Sequence, residues 1–152
     1  DKASKTGDPN RYSFPQAKIN DAPYDFSFSG LKTAVLNMIH HAEQVGETID
    51  VPDLAASFQS AVVEALADRA FTALHEFGQK KLVLAGGGAS NSCLRATLEE
   101  RCAKEGIEFI KPSPILCTDN AAMIGAAGWY QYKKGIISGL DLDPVANMRL
   151  GG

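Results

Sequence analysis

At 152 residues with a net charge of −3, the chain suits one domain and lacks the basic footprint of a stand-alone nucleic-acid binder. Hydrophobic residues at 45% argue for a packed core and against disorder, and no apolar run reaches the roughly 20 residues that span a bilayer. Cys93, Cys102 and Cys117 form no CxxC pair and read as reduced, mostly buried thiols of a reducing compartment.

Residues 1 to about 25 are polar and broken by Gly7, Pro9, Pro15 and Pro23, which predicts an irregular arm. A helix starting at Ser29 or Thr33 carries Leu31, Val35, Met38, Ile39 and Ala42 on one face and ends near Gly46. A longer helix is predicted from Pro52 to Phe77, with Leu54, Phe58, Ala61, Val62, Ala65, Leu66 and Leu74 as its apolar stripe. Asp50 is its cap, Pro52 sits in the first turn where a missing N–H costs nothing, and Gly78 stops it.

Next come a strand at Lys81–Ala85, a helix at about Ser90–Lys104 burying Leu94, Leu98 and Cys102, and a strand at Glu108–Lys111. Strand, helix and strand at this spacing make a βαβ unit, whose ligands belong beyond the carboxyl ends of the strands. Pro112 and Pro114 lead to a helix capped by Thr118 or Asp119, with Ala122, Gly125, Ala126 and Trp129 on one side and an end near Gly135. From Asp141 onward an irregular tail is expected.

Two segments carry chemistry. Gly86, Gly87 and Gly88 follow the first strand directly, so the backbone there can turn sharply and a ligand can approach it closely. The amides that follow open a helix, where unpaired N–H groups and the dipole favour anions. A tight packed turn without ligand is the competing reading. In the second segment, Asp119 is either a plain N-cap or a hard oxygen ligand for a metal ion, and spacing does not separate the two.

Three blocks resemble one family: SFSGLKTA at Ser27–Ala34, AGGGASN at Ala85–Asn91 and CTDNAAMIG at Cys117–Gly125. They stand in the order and spacing of the tRNA N6-adenosine threonylcarbamoyltransferases, also called glycoproteases. The resemblance runs from Asp1 to about Lys134 and implies the C-terminal part of a longer cytoplasmic enzyme. It implies an α/β lobe, residues 26–135, of an actin-like fold shared with sugar kinases and heat-shock chaperones. Residues 1–25 would continue from a first lobe outside this chain, and 136–152 would form a tail.

The same resemblance implies transfer of a threonylcarbamoyl group from threonylcarbamoyl-AMP to N6 of an adenine beside the tRNA anticodon. Gly86, Gly87, Gly88 and Asn91 would bind the adenylate, and Asp119 would be one ligand of a divalent metal, iron or zinc. Bacterial members pair with a degenerate paralogue and a P-loop ATPase. Any contacts to tRNA phosphates would fall to small cationic groups such as Lys80-Lys81 and Lys133-Lys134.

The family's His-x-x-x-His metal motif is absent: His40 and His41 are adjacent, about 100° apart around a helix, and His75 is distant in sequence. The fragment by itself is therefore expected to be inactive. No Ser-His-Asp or Cys-His set and no HExxH motif supports proteolysis. Two alternatives stay open: a nucleotide-binding lobe of another actin-like kinase or carbamoyltransferase, and a non-catalytic partner subunit.

Overall fold

The computed structural model of the chain describes residues 1–15 and 22–146. The predicted arm and tail also extend over 16–21 and 147–152, which lie outside these described residues. The described chain is α/β, with four helices and a small parallel sheet, and divides into one unit of Asp1–Thr118 and a second beginning at Asp119.

Helix α1 spans Ser29–Val45 and α2 spans Val51–Glu76. Helix α1 begins at the first of the two predicted starts, and the Thr33 hydroxyl donates back to the Ser29 carbonyl at 3.0 Å. Helix α2 is capped as expected: the Asp50 carboxylate accepts from the Asp53 amide at 2.9 Å, with Pro52 in the first turn.

The buried face of α2 departs from expectation. Ala56, Val63, Ala67, Phe71 and Leu74 are buried, whereas Phe58 is 38% exposed and Val62 and Leu66 are only half-buried. The helix is apolar on more than one side, so periodicity alone does not select which stripe enters the core.

Strands β1 (Lys81–Val83) and β2 (Glu108–Ile110) pair in parallel, with Leu82 opposite Phe109, and α3 (Ser92–Glu105) crosses between them. The core joins Val63, Ala67, Phe71 and Leu74 of α2 to Leu94, Leu98 and Cys102 of α3, with Leu82, Leu84 and Phe109 packed against it. Burial pushes the Cys102 thiol pKa up, which keeps it protonated and unreactive.

Both strands stop earlier than predicted. The Leu84 amide still donates to the Ile110 carbonyl at 2.9 Å, but the next donor in a parallel ladder is Pro112, which has no N–H. On the other face of the sheet Val83 is 61% and Ile110 40% exposed. Parallel sheets ordinarily carry cover on both faces.

Over its described residues the arm is irregular apart from a 3-10 turn at Ala3–Thr6, and that turn docks on α2. The Asp8 amide donates to the Asp53 carboxylate at 2.8 Å. Tyr12 N–H donates to the Ser57 hydroxyl and that hydroxyl donates to the Asp8 carbonyl, each at 3.1 Å.

In the second unit, α4 spans Ala121–Lys133. Its cap is Asn120, whose side-chain oxygen accepts from the Met123 amide at 2.9 Å, so the expectation of Thr118 or Asp119 as cap is corrected. Asn120 has the extended backbone a cap requires, at φ −151° and ψ 153°. Every residue of α4 is exposed, including Ile124, Trp129 and Tyr130.

Candidate functional site

The chain leaves β1 through Leu84 and Ala85 and turns at Gly86, whose φ of 83° falls in the region that L side chains avoid. Gly87–Ser90 then form a 3-10 turn, closed by bonds from Ala89 N–H to Gly86 and from Asn91 N–H to Gly88, each at 3.0 Å. The predicted helix start at Ser90 is therefore a separate turn, and α3 begins two residues later. The glycine run lies at the carboxyl end of β1, as the βαβ reading expected.

Neither Gly87 nor Gly88 has positive φ, and a Cβ built on either meets nothing within 4 Å. Packing within the chain does not explain why these two positions lack side chains. The Ala89 methyl, by contrast, is buried, at 1% exposure.

Asn91 is the cap of α3, not a first-turn residue. Its Oδ1 accepts from the Leu94 amide and its Nδ2 donates to Gln59 Oε1, both at 2.9 Å. The pair Gln59–Asn91 therefore ties α2 to the turn. Asn91→Ala is expected to cost about 1 kcal/mol of stability through the lost cap, and Asn91→Ser to recover most of it. Thermal melts of the two variants test this.

Two cavities meet at Gly88. One, of about 310 Å³, is walled by Phe58, Val62 and Leu66 on α2 and by Gln59, Asn91 and Gly88. The other, of about 450 Å³, runs along Leu82–Ala85 toward Tyr24 and Phe26. Both volumes fall in the range of small-molecule sites, roughly 300–1,000 Å³. Of the residues expected in the core, Phe58 and Val62 instead face the smaller cavity, and Leu66 both packs against the core and lines that cavity.

Arg95 is a residue that sequence reasoning missed. From α3 it donates to the Ala89 carbonyl at 2.8 Å and to the Pro112 carbonyl at 2.7 Å, and it lies 3.6 Å from Cys117 Sγ. A cation in the first turns of a helix opposes the dipole, and that misplacement was the available signal. Gln59 carried no such signal.

Asp119 is exposed and immediately precedes the cap of α4. With capping assigned to Asn120, that role does not account for Asp119. His40 and His41 are exposed on α1, and His75 Nε2 pairs with Glu105 at 2.5 Å. Among the described residues no group of three or more His, Cys, Asp or Glu is placed to hold a metal ion. Among the described residues no helix is long and apolar enough to cross a membrane.

The described chain is an α/β protein whose first strand ends in a glycine turn beside an apolar, amide-edged cavity, at the strand end where open α/β sheets accommodate ligands. The particular family follows from sequence comparison. The sequence model for tRNA N6-adenosine threonylcarbamoyltransferase matches residues 1–126, and the chain belongs to that family. Proteins with that name from Clostridium beijerinckii and Clostridium perfringens are each 48% identical to it over 151 residues. One from Clostridium botulinum is 49% identical over the same length. The alignments cover 99% of this chain but 44% of each relative, so the chain spans less than half of their length.

Proposed function

We propose that the chain is the second, C-terminal lobe of an actin-like two-lobed transferase, in which it anchors the adenylate half of threonylcarbamoyl-AMP. Residues 26–135 are the lobe, residues 1–25 the arm that continues from the first lobe, and residues 136–152 its tail. The 44% coverage of its relatives supports a larger parent protein, and the exposed Val83 and Ile110 leave one sheet face of the first unit open to further cover.

One observation carries the adenylate assignment. The Phe58–Val62–Leu66 stripe supplies an apolar wall for a purine, while Gly87 and Gly88 leave open space above the backbone beside it. A wall for a flat base, a polar edge at Gln59 and Asn91, and main-chain access for ribose or phosphate together suit a nucleoside monophosphate group.

In the proposed reaction the N6 amine of a tRNA adenine attacks the carbamoyl carbon. The N–C bond forms, the C–O bond to phosphate breaks, AMP departs, and the N6 nitrogen gives up one proton to solvent. The attacking group belongs to the tRNA, so no protein nucleophile is required, in keeping with the family's name of transferase. The net charge of −3 assigns most of the attraction for tRNA to other parts of the protein or to its partners. In bacteria those partners are a degenerate paralogue and a P-loop ATPase, and the location is cytoplasmic.

The family's divalent metal, iron or zinc, does not fit a site made from this chain's described residues. Asp119 offers one carboxylate, and one carboxylate holds a transition metal weakly. We assign Asp119 as a single ligand of a site whose other donors come from outside this chain, and the fragment by itself as inactive.

The test is Asp119→Ala in a full-length family enzyme carrying this chain. Turnover is expected to fall at least about a hundredfold, as for loss of a group that acts in the transition state, with the melting temperature unchanged because the helix cap is Asn120. Asn120→Ala is expected to behave oppositely, losing about 1 kcal/mol of helix stability. Normal turnover in Asp119→Ala removes it from the site.

A further inference from the structure

We infer that Arg95 is a positioning residue that holds the glycine turn in its ligand-ready shape, an inference that rests on the adenylate reading above. The turn contains three consecutive glycines and so loses an unusual amount of backbone freedom when it is ordered. A ligand that ordered it on binding would lose affinity accordingly, whereas a turn ordered in advance spares that cost.

Arg95 supplies the advance ordering. One nitrogen of its guanidinium reaches the Ala89 carbonyl inside the 3-10 turn at 2.8 Å, and the other reaches the Pro112 carbonyl beyond the end of β2 at 2.7 Å. Ala89 belongs to the short 3-10 turn and Pro112 to no helix or strand. The fork therefore joins two irregular segments that the short sheet does not hold. Cys117 continues the same clasp, with its Sγ 3.6 Å from Arg95 and 3.5 Å from the Ser113 carbonyl.

The chemistry selects arginine. Two donors in a fixed plane span two carbonyls, and a lysine ammonium on a flexible stem does not reproduce that geometry. Arg95 touches no ligand surface in this scheme. It acts through Ala89, one residue from Gly88.

The test is AMP binding by calorimetry, with steady-state kinetics, in a full-length family enzyme carrying this chain. Wild type is compared with Arg95→Met, Arg95→Lys and Gly88→Ala. Arg95→Met is expected to weaken AMP binding and raise KM for the adenylate about tenfold while kcat stays within about twofold. Arg95→Lys should recover little, and millimolar guanidinium should restore Arg95→Met toward wild type.

Wild-type affinity in both Arg95 variants alongside a weakened Gly88→Ala overturns the clasp and leaves the adenylate site standing. Unchanged binding in all three variants removes the adenylate reading, and the clasp with it. A loss in Arg95→Met that guanidinium does not repair, with kcat falling in parallel, assigns the effect to general damage and also overturns the proposal. Arg95→Lys keeps the experiment decisive if Arg95→Met does not fold, because wild-type affinity in the lysine variant is by itself fatal.

Discussion

Gly88→Ala, in a full-length family enzyme carrying this chain, is expected to stabilise the protein while weakening its grip on adenylate. The two effects come from one methyl group. Gly88 lies in a 3-10 turn without positive φ, and the added Cβ meets nothing within 4 Å. Under those conditions alanine restricts the unfolded chain more than the folded one, which stabilises by about 0.4–1 kcal/mol. The same methyl occupies the space through which ribose or phosphate approaches the backbone. Affinity for AMP should fall about tenfold to a hundredfold, or about 1.4–2.8 kcal/mol.

Gly86→Ala provides the contrast. At φ 83° its alanine is strained, so stability should fall by about 1 kcal/mol or more before any ligand is considered. Scanning calorimetry and an AMP titration on the two variants separate a turn kept glycine-rich for its own shape from one kept open for a ligand. A Gly88→Ala enzyme that is more stable and binds AMP as tightly as wild type excludes the ligand explanation.

What could be read without the structure follows from how local each signal is. The strand–glycine–helix order from Lys81 to Glu105 was legible because periodicity and glycine placement act within a few residues. Asp50 as a cap was legible for the same reason. The cap of α4 was not: Thr118, Asp119 and Asn120 are three cap-forming residues in a row, and only the backbone of Asn120 decides among them. Strand ends were misplaced because the lost ladder bond at Pro112 depends on its pairing with Leu84 across the sheet.

The long-range contacts of the site were invisible by kind. Gln59 and Asn91 meet across 32 residues, and nothing at either position announces the other. The apolar residues of α2 look alike in sequence, yet Ala67, Phe71 and Leu74 enter the core while Phe58 and Val62 wall the cavity. Which does which is settled by where α3 packs, a tertiary fact.

Gly7 shows the same limit most sharply, and it carries the largest expected effect on stability. In sequence it reads as a break in a polar arm. In the structure a Cβ at Gly7 would lie 2.0 Å from the Pro52 carbonyl oxygen and 2.2 Å from its carbon. Both atoms are backbone in the first turn of α2 and cannot swing aside. Gly7→Ala must therefore push the arm off the helix or shift the helix itself, at the upper end of the range for overpacking, about 3 kcal/mol. The arm's bonds to Asp53 and Ser57 lie in the path of that displacement.

Two outcomes are physically distinct. If the arm detaches as a local unit, the Asp8 and Tyr12 amides lose their hydrogen-exchange protection while the core amides of α2 and α3 keep theirs. If the arm and core are one cooperative unit, the whole melt shifts downward by several degrees. Detachment bears on function as well. Asp1, at the start of the arm, accepts from the Ser92 hydroxyl at 2.7 Å and lines the cavity beside Gly88 and Asn91. A displaced arm strips one wall from the proposed adenylate site, so Gly7→Ala should weaken AMP binding even though Gly7 lines neither cavity at Gly88. Wild-type stability and exchange in that variant would show that the arm does not sit on α2 in solution, and would withdraw Asp1 from the site.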